Sequence, residues 1–160
     1  MPNGALLGAF FIHGLEAFLA WLGLNLHWGQ IIQFIFWFML PGFSMYFFAY
    51  KTFPDRKYLP LIASIIYMLN FYLLQGWFIA ERTKFSIYIA FPLVLYFLIS
   101  YLRGKAGFFK TVAVTGIVLG VFNGGGSLPL YGGLVFSILI IFFYINAINL
   151  NLDTFKRTIF

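Results

Sequence analysis

The stretch Gly76, Trp77, Phe78, Ile79, Ala80, Glu81, Arg82, Thr83, Lys84, Phe85, Ser86 is a short charged interruption between two apolar runs, and its reading decides the fold. The flanking runs, Leu59 to Phe78 and Phe85 to Leu102, each have about the 20 residues that a helix needs to cross a hydrocarbon core some 30 Å thick. Two such runs joined by a few polar residues read as a helix that crosses a membrane, a tight loop, and a helix that returns. Glu81, Arg82 and Lys84 then lie together on one face of the membrane.

The whole chain supports this reading. Of 160 residues, 62% are hydrophobic and 9% are charged, and the mean hydropathy is +0.94. A water-soluble domain carries about 25% charged residues, so this chain has too few to cover a surface in water. The expected fold is all-α, a polytopic integral membrane bundle of about six transmembrane segments with short loops, forming a single transmembrane domain over 1–160, complete or part of a longer chain. With no cysteine, disulfides, thiolate metal sites and thiol nucleophiles are excluded. The formal charge of +6 does not point to nucleic acid, because the basic residues fall in short clusters between apolar runs and form no stripe on a soluble element.

Outward from the central loop, the N-terminal segment Ala5 to Leu24 reads as a helix. Ala5, Ala9, His13, Glu16, Ala20 and Gly23 recur at steps of three and four, which makes one small-and-polar face on an otherwise greasy rod. That face is expected to meet other helices. No basic n-region or cleavage pattern marks a signal peptide, so the segment is expected to be retained; it either spans or lies in the interface. Asn25 to Gln30 reads as a polar break, and Ile31 to Tyr50 as the next span, with a kink at Pro41-Gly42. Phe108 to Phe122 is short for a span and runs into Asn123, Gly124, Gly125, Gly126, Ser127. This loop is expected to be a glycine turn closing a tilted span, with a re-entrant, cavity-lining segment as the alternative. It lacks the Lys-Ser/Thr ending of a phosphate-binding loop. Apolar sequence resumes from Leu130 to about Asn146.

Alternating sides, the 51–58 and 103–110 loops share a face with the C-terminal tail. That face holds Lys51, Arg56, Lys57, Arg103, Lys105, Lys110, Lys156 and Arg157, eight of the ten basic residues. The positive-inside rule places it in the cytoplasm. Trp21, Trp28 and Trp77 then fall near the outer boundary, where indoles favour the headgroup level.

Candidate chemistry is sparse. His13 and Glu16, three apart on one helical face, could give two metal ligands. A site needs three or four, so no metal is expected and a buried hydrogen-bonded pair is the better reading. Arg82 and Lys84, with Glu81, could hold a phosphate, Arg as a planar fork and Lys as a point charge; an ordinary solvated loop is the competing reading.

Two blocks carry a resemblance. One runs from Leu22 to Gln33 and on to Pro41, Gly42, Phe43, Ser44, Met45, Tyr46, Phe47, Phe48; the other from Ile62 to Phe71 and on to Ala90, Phe91, Pro92, Leu93, Val94, Leu95, Tyr96. Together they resemble part of the multi-span C-type (GT-C) glycosyltransferases, notably the arabinofuranosyltransferase-like membrane proteins. The resemblance implies a prokaryotic cell membrane, a polyprenyl-phosphate sugar as partner, and chemistry on the outer face. Arg82 and Lys84 would hold the donor phosphate and Glu81 the sugar hydroxyls. Those enzymes use a carboxylate in the first outer loop, and Asn25 to Gln30 has none, so no catalytic residue carries over. The alternative is a small transporter or an accessory or structural subunit with partner membrane subunits. No cofactor is implied.

Overall fold

The computed structural model describes residues 5–78, 82–122, 132–133, 135–139 and 143, with side chains over 13–76, 78, 85–122 and those later positions. The described residues contain no strand. Six helices follow in order: α1 (Ala5–Trp21), α2 (Leu26–Thr52), α3 (Leu59–Met68), α4 (Phe71–Phe78), α5 (Arg82–Leu102) and α6 (Phe108–Val121). Residues 132–133, 135–139 and 143 are helical as well. Two helices, α2 and the Phe85–Leu102 part of α5, are long and apolar enough to cross a membrane.

The α2–α5 pair is the centre of the bundle, with α3 and α1 against α2, and α6 and α4 against α5. The pair is held by rings that meet edge to face. Phe85 of α5 sits 6.2 Å from Phe38 and 6.5 Å from Phe34, at interplanar angles of 86° and 82°. Trp37, Leu73, Phe85 and Ile89 form the buried cluster, so α4 contributes through Leu73. Such offset aromatic pairs add about 0.5–1.5 kcal/mol each beyond their area.

The pattern along α2 is inverted relative to a helix in water. Its buried residues are Gln33, Trp37, Pro41, Gly42, Ser44, Ala49 and Thr52, mostly small or polar. Its exposed residues include Ile32, Ile35, Phe36, Met39 and Phe43. Small residues inside let helices approach closely: a Cβ added at Gly42 would lie 2.2 Å from Met68 Sδ and 2.6 Å from its Cγ, so α3 packs directly on the α2 backbone there.

Three details differ from the sequence reading. First, Asn25 to Gln30 is not a loop. Asn25 is the cap of α2, its Oδ1 accepting from Trp28 N–H at 3.0 Å, and the chain is helical from Leu26. The turn is made just upstream by Gly23, at φ +81°, with Leu24 N–H donating to Leu19 O and Gly23 N–H to Ala20 O. This is a Schellman ending, for which a left-handed glycine is suited.

Second, the run from Leu59 to Phe78 is two helices. Asn70 ends one and starts the other: its Nδ2 donates to Tyr67 O, and its Oδ1 accepts from Leu73 N–H at 3.0 Å. A short amide side chain that bonds the local backbone in both directions competes with helix continuation.

Third, the small-and-polar side of α1 is not its packed side where side chains are described. His13, Ala20 and Gly23 are exposed, whereas Leu19 is buried, its Cβ 4.0 Å from where a Cβ on Gly29 of α2 would lie. The large residue fills the space that Gly29 leaves open.

Pro41, where the sequence predicts a kink, and Pro92 both sit inside helices. α2 runs through Pro41 without a break, and Ser44 Oγ donates to Pro41 O at 2.8 Å. Pro92 lies in α5 and has no N–H to give to the carbonyl of Tyr88, four residues before it. Tyr67 of α3 supplies the missing donor, its Oη–H bonding Tyr88 O at 3.0 Å. The Tyr88 ring lies between two others here, tilted against Tyr67 at 5.4 Å and stacked on Tyr72 at 5.5 Å.

Candidate functional site

A polar cleft lies among the described residues at the end of the bundle where α2 and α5 finish and α6 begins. Its volume is about 280 Å³. Lys51 and Thr52 come from the last turn of α2, and Ser100 from the last turn of α5. Arg103 and Lys105 come from the connection, and Lys110 from the first turn of α6. Tyr96 and Phe97 give it an aromatic wall. Four cationic side chains thus line it, and among the described residues no acidic one does.

Local chemistry sets these positions. α5 ends in a second Schellman motif: Gly104 has φ +71°, its N–H donates to Tyr101 O at 2.8 Å, and Lys105 N–H donates to Ser100 O at 2.8 Å. The turn places Arg103 and Lys105 on either side of the glycine. Arg103 Nη1 then reaches Thr52 O at 3.5 Å, one of the C-terminal carbonyls of α2 that have no helical partner. α6 is capped by Gly107, which offers no side-chain acceptor, so the first-turn N–H groups of α6 are not satisfied by the cap residue. Thr111 bonds Gly107 O by both its N–H and its Oγ1. Thr52 is 8% exposed, and its Oγ1 is buried with no hydrogen-bond partner.

Part of this charge has an ordinary explanation. Lys51 and Arg103 sit at the C-terminal ends of α2 and α5, where the helix dipole favours cations. Lys110 does not fit that account, because it stands in the first turn of α6, the end that favours anions.

The other sequence candidates fall elsewhere. His13 and Glu16 are brought together, His13 Nδ1 lying 3.0 Å from Glu16 Oε2, with the His13 side chain 67% and the Glu16 side chain 31% exposed. The pair thus has an exposed His13 and a partly exposed Glu16. Arg82 and Lys84 open α5, about 30 Å of helix away from Arg103. Glu81 lies outside the described residues, as do Asn123, Gly124, Gly125, Gly126 and Ser127, and the tail from 144 to 160.

Compared with protein-family models, with curated proteins and with solved structures, the chain matches none of them. The resemblance to the GT-C glycosyltransferases rests on the two sequence blocks alone.

Proposed function

We propose that the chain is a polytopic integral membrane protein that works as an accessory or transport subunit, with the basic cleft at its cytoplasmic end. It has six spans, or five if α1 lies along the interface. In this reading α3 and α4 together make one span, and the segment after α6 supplies the last. The inverted pattern of α2 carries the reading. Only 28% of its most apolar window is buried, and large apolar side chains face outward, a surface that water would penalise and lipid would not. The loops at 51–58 and 103–110 meet at the cleft through Arg103 and Thr52, which supports their sharing one side.

The test is sidedness in cells. Membranes washed with alkaline carbonate retain the protein. In the cysteine-free chain, Thr83→Cys reacts with an impermeant maleimide in intact cells, whereas Asp55→Cys reacts only after lysis. Release by carbonate overturns the membrane reading, and the reverse labelling pattern overturns the orientation.

A second reading, a fragment or short relative of a lipid-linked-sugar glycosyltransferase, is favoured by the placement of Arg82 and Lys84 at the far end of α5 from the cleft. There they would meet a polyprenyl-phosphate sugar on the outer face, with Glu81 toward the sugar. Replacing both cations with Ala separates the two. Loss of polyprenyl-phosphate binding by an intact protein favours the transferase, and unchanged binding favours the subunit.

A further inference from the structure

We propose that the cleft between the ends of α2 and α5 and the start of α6 binds a phosphate ester oxyanion, with an anionic lipid headgroup or a soluble phosphate as its source. Three observations converge on this chemistry. The cleft gathers Lys51, Arg103, Lys105 and Lys110 with no carboxylate among its described lining residues. Lys110 stands in the first turn of α6, against the local dipole, and an oxyanion bound in the cleft beside it would suit both its ammonium group and that end of the helix. Thr52, which lines the same cleft, keeps its Oγ1 buried with no partner, a polar group that a small rotation would turn toward a bound oxyanion.

The guanidinium and hydroxyl suit phosphate. Arg103 presents a planar fork that matches two phosphate oxygens, of which its contact with Thr52 O uses one nitrogen. At about 280 Å³ the cleft exceeds the needs of a bare anion and leaves room for an esterified carbon group against Tyr96 and Phe97. Basic pockets between helices at the cytoplasmic surface are a recurring way to hold lipid headgroups. The lipid source rests on the membrane reading proposed above; the oxyanion site does not.

The experiment uses the full chain purified and reconstituted in phosphatidylcholine nanodiscs. Short-chain phosphatidic acid and inorganic phosphate are titrated separately by calorimetry. The expected result is saturable binding that Arg103→Ala and Lys110→Ala each weaken at least tenfold and that Thr52→Val weakens about threefold. Lys57→Ala, an exposed cation outside the cleft, leaves it unchanged. Phosphatidic acid binding that millimolar phosphate does not displace identifies a lipid headgroup; displacement, or binding of phosphate alone, identifies a soluble source. No saturable binding of either probe, or an equal loss with Lys57→Ala, overturns the proposal. Circular dichroism of each variant confirms helix content, and Thr52→Val, nearly isosteric, keeps the test valid if a cation variant fails to fold. Release of the protein by carbonate together with phosphate binding would remove the membrane reading and leave the site.

Discussion

The hydrogen bond from Tyr67 to Tyr88 O makes a sharp prediction, because Pro92 is the reason it is needed. In an uninterrupted α5 the residue at 92 would donate to Tyr88 O; proline cannot, and Tyr67 substitutes from α3. Tyr67→Phe removes one oxygen and keeps the ring contact with Tyr88, whose centroid is 5.4 Å away. The loss leaves a carbonyl inside the bundle without its donor, which costs about 1–3 kcal/mol. In a Pro92→Ala background the helix supplies its own N–H, and the same Tyr67→Phe change should cost about 0.5 kcal/mol or less. The coupling between the two sites is then about 1–2 kcal/mol, within the range seen for groups in one hydrogen-bond network. The four single and double variants are unfolded by SDS in mixed micelles and followed by tryptophan fluorescence, Trp37 being fully buried. If Tyr67→Phe costs the same in both backgrounds, within the roughly 0.3–0.5 kcal/mol expected of independent sites, Tyr67 does not replace the proline's missing donor and the reasoning fails.

Gly42→Ala drives a methyl group into Met68 and should destabilise by about 1–3 kcal/mol, less about 1 kcal/mol returned by helix propensity; in a Met68→Ala background the same change should stabilise, read by the same SDS titration. Asn70→Ala removes the cap of α4 and should cost about 0.5–2 kcal/mol, whereas Asn70→Ser, which keeps an acceptor oxygen, should cost less. Equal losses for the two would show that the cap is not what Asn70 contributes. Gly104→Ala puts a Cβ on a left-handed residue at a cost of about 1–2 kcal/mol; thermal melting checks this, and calorimetry should show weaker anion binding as Lys105 shifts.

Much of the helical architecture was legible because apolar run length is a local property. The start of α6 at Phe108 and the end of α5 at Leu102 fall where the charged and glycine residues mark them. The break at Leu69-Asn70 was not legible. One asparagine in an apolar run looks like any tolerated polar residue, and what makes it a boundary is a pair of backbone hydrogen bonds visible only in three dimensions. Asn25 misled in the opposite way: a polar cluster read as a loop is a cap followed at once by helix. The cleft was half legible. Lys51, Arg103, Lys105 and Lys110 read from sequence as cations of two loops on one side; the structure gathers them at one cleft, with Lys51 and Lys110 in helix termini, and a tally by loop does not tell which helices are neighbours. Only the pairing of α2 with α5 turns scattered topology markers into one basic pocket and adds Thr52 and Ser100, whose small hydroxyls carry no signal in the sequence.

α5 begins at Arg82, with Lys84 in its first turn, and Arg103 follows its other end, about 30 Å of helix away. In the membrane reading proposed above, a helix with basic residues at both ends would act as a ruler. Bilayers with longer acyl chains would drag one end out of the headgroup layer, and shorter ones would force it to lean, each at a fraction of a kcal/mol per ångström. If the chain spans a bilayer and its cleft holds an oxyanion, as proposed above, Arg103 would tie the two together, and lipid chain length would become a setting for ligand affinity.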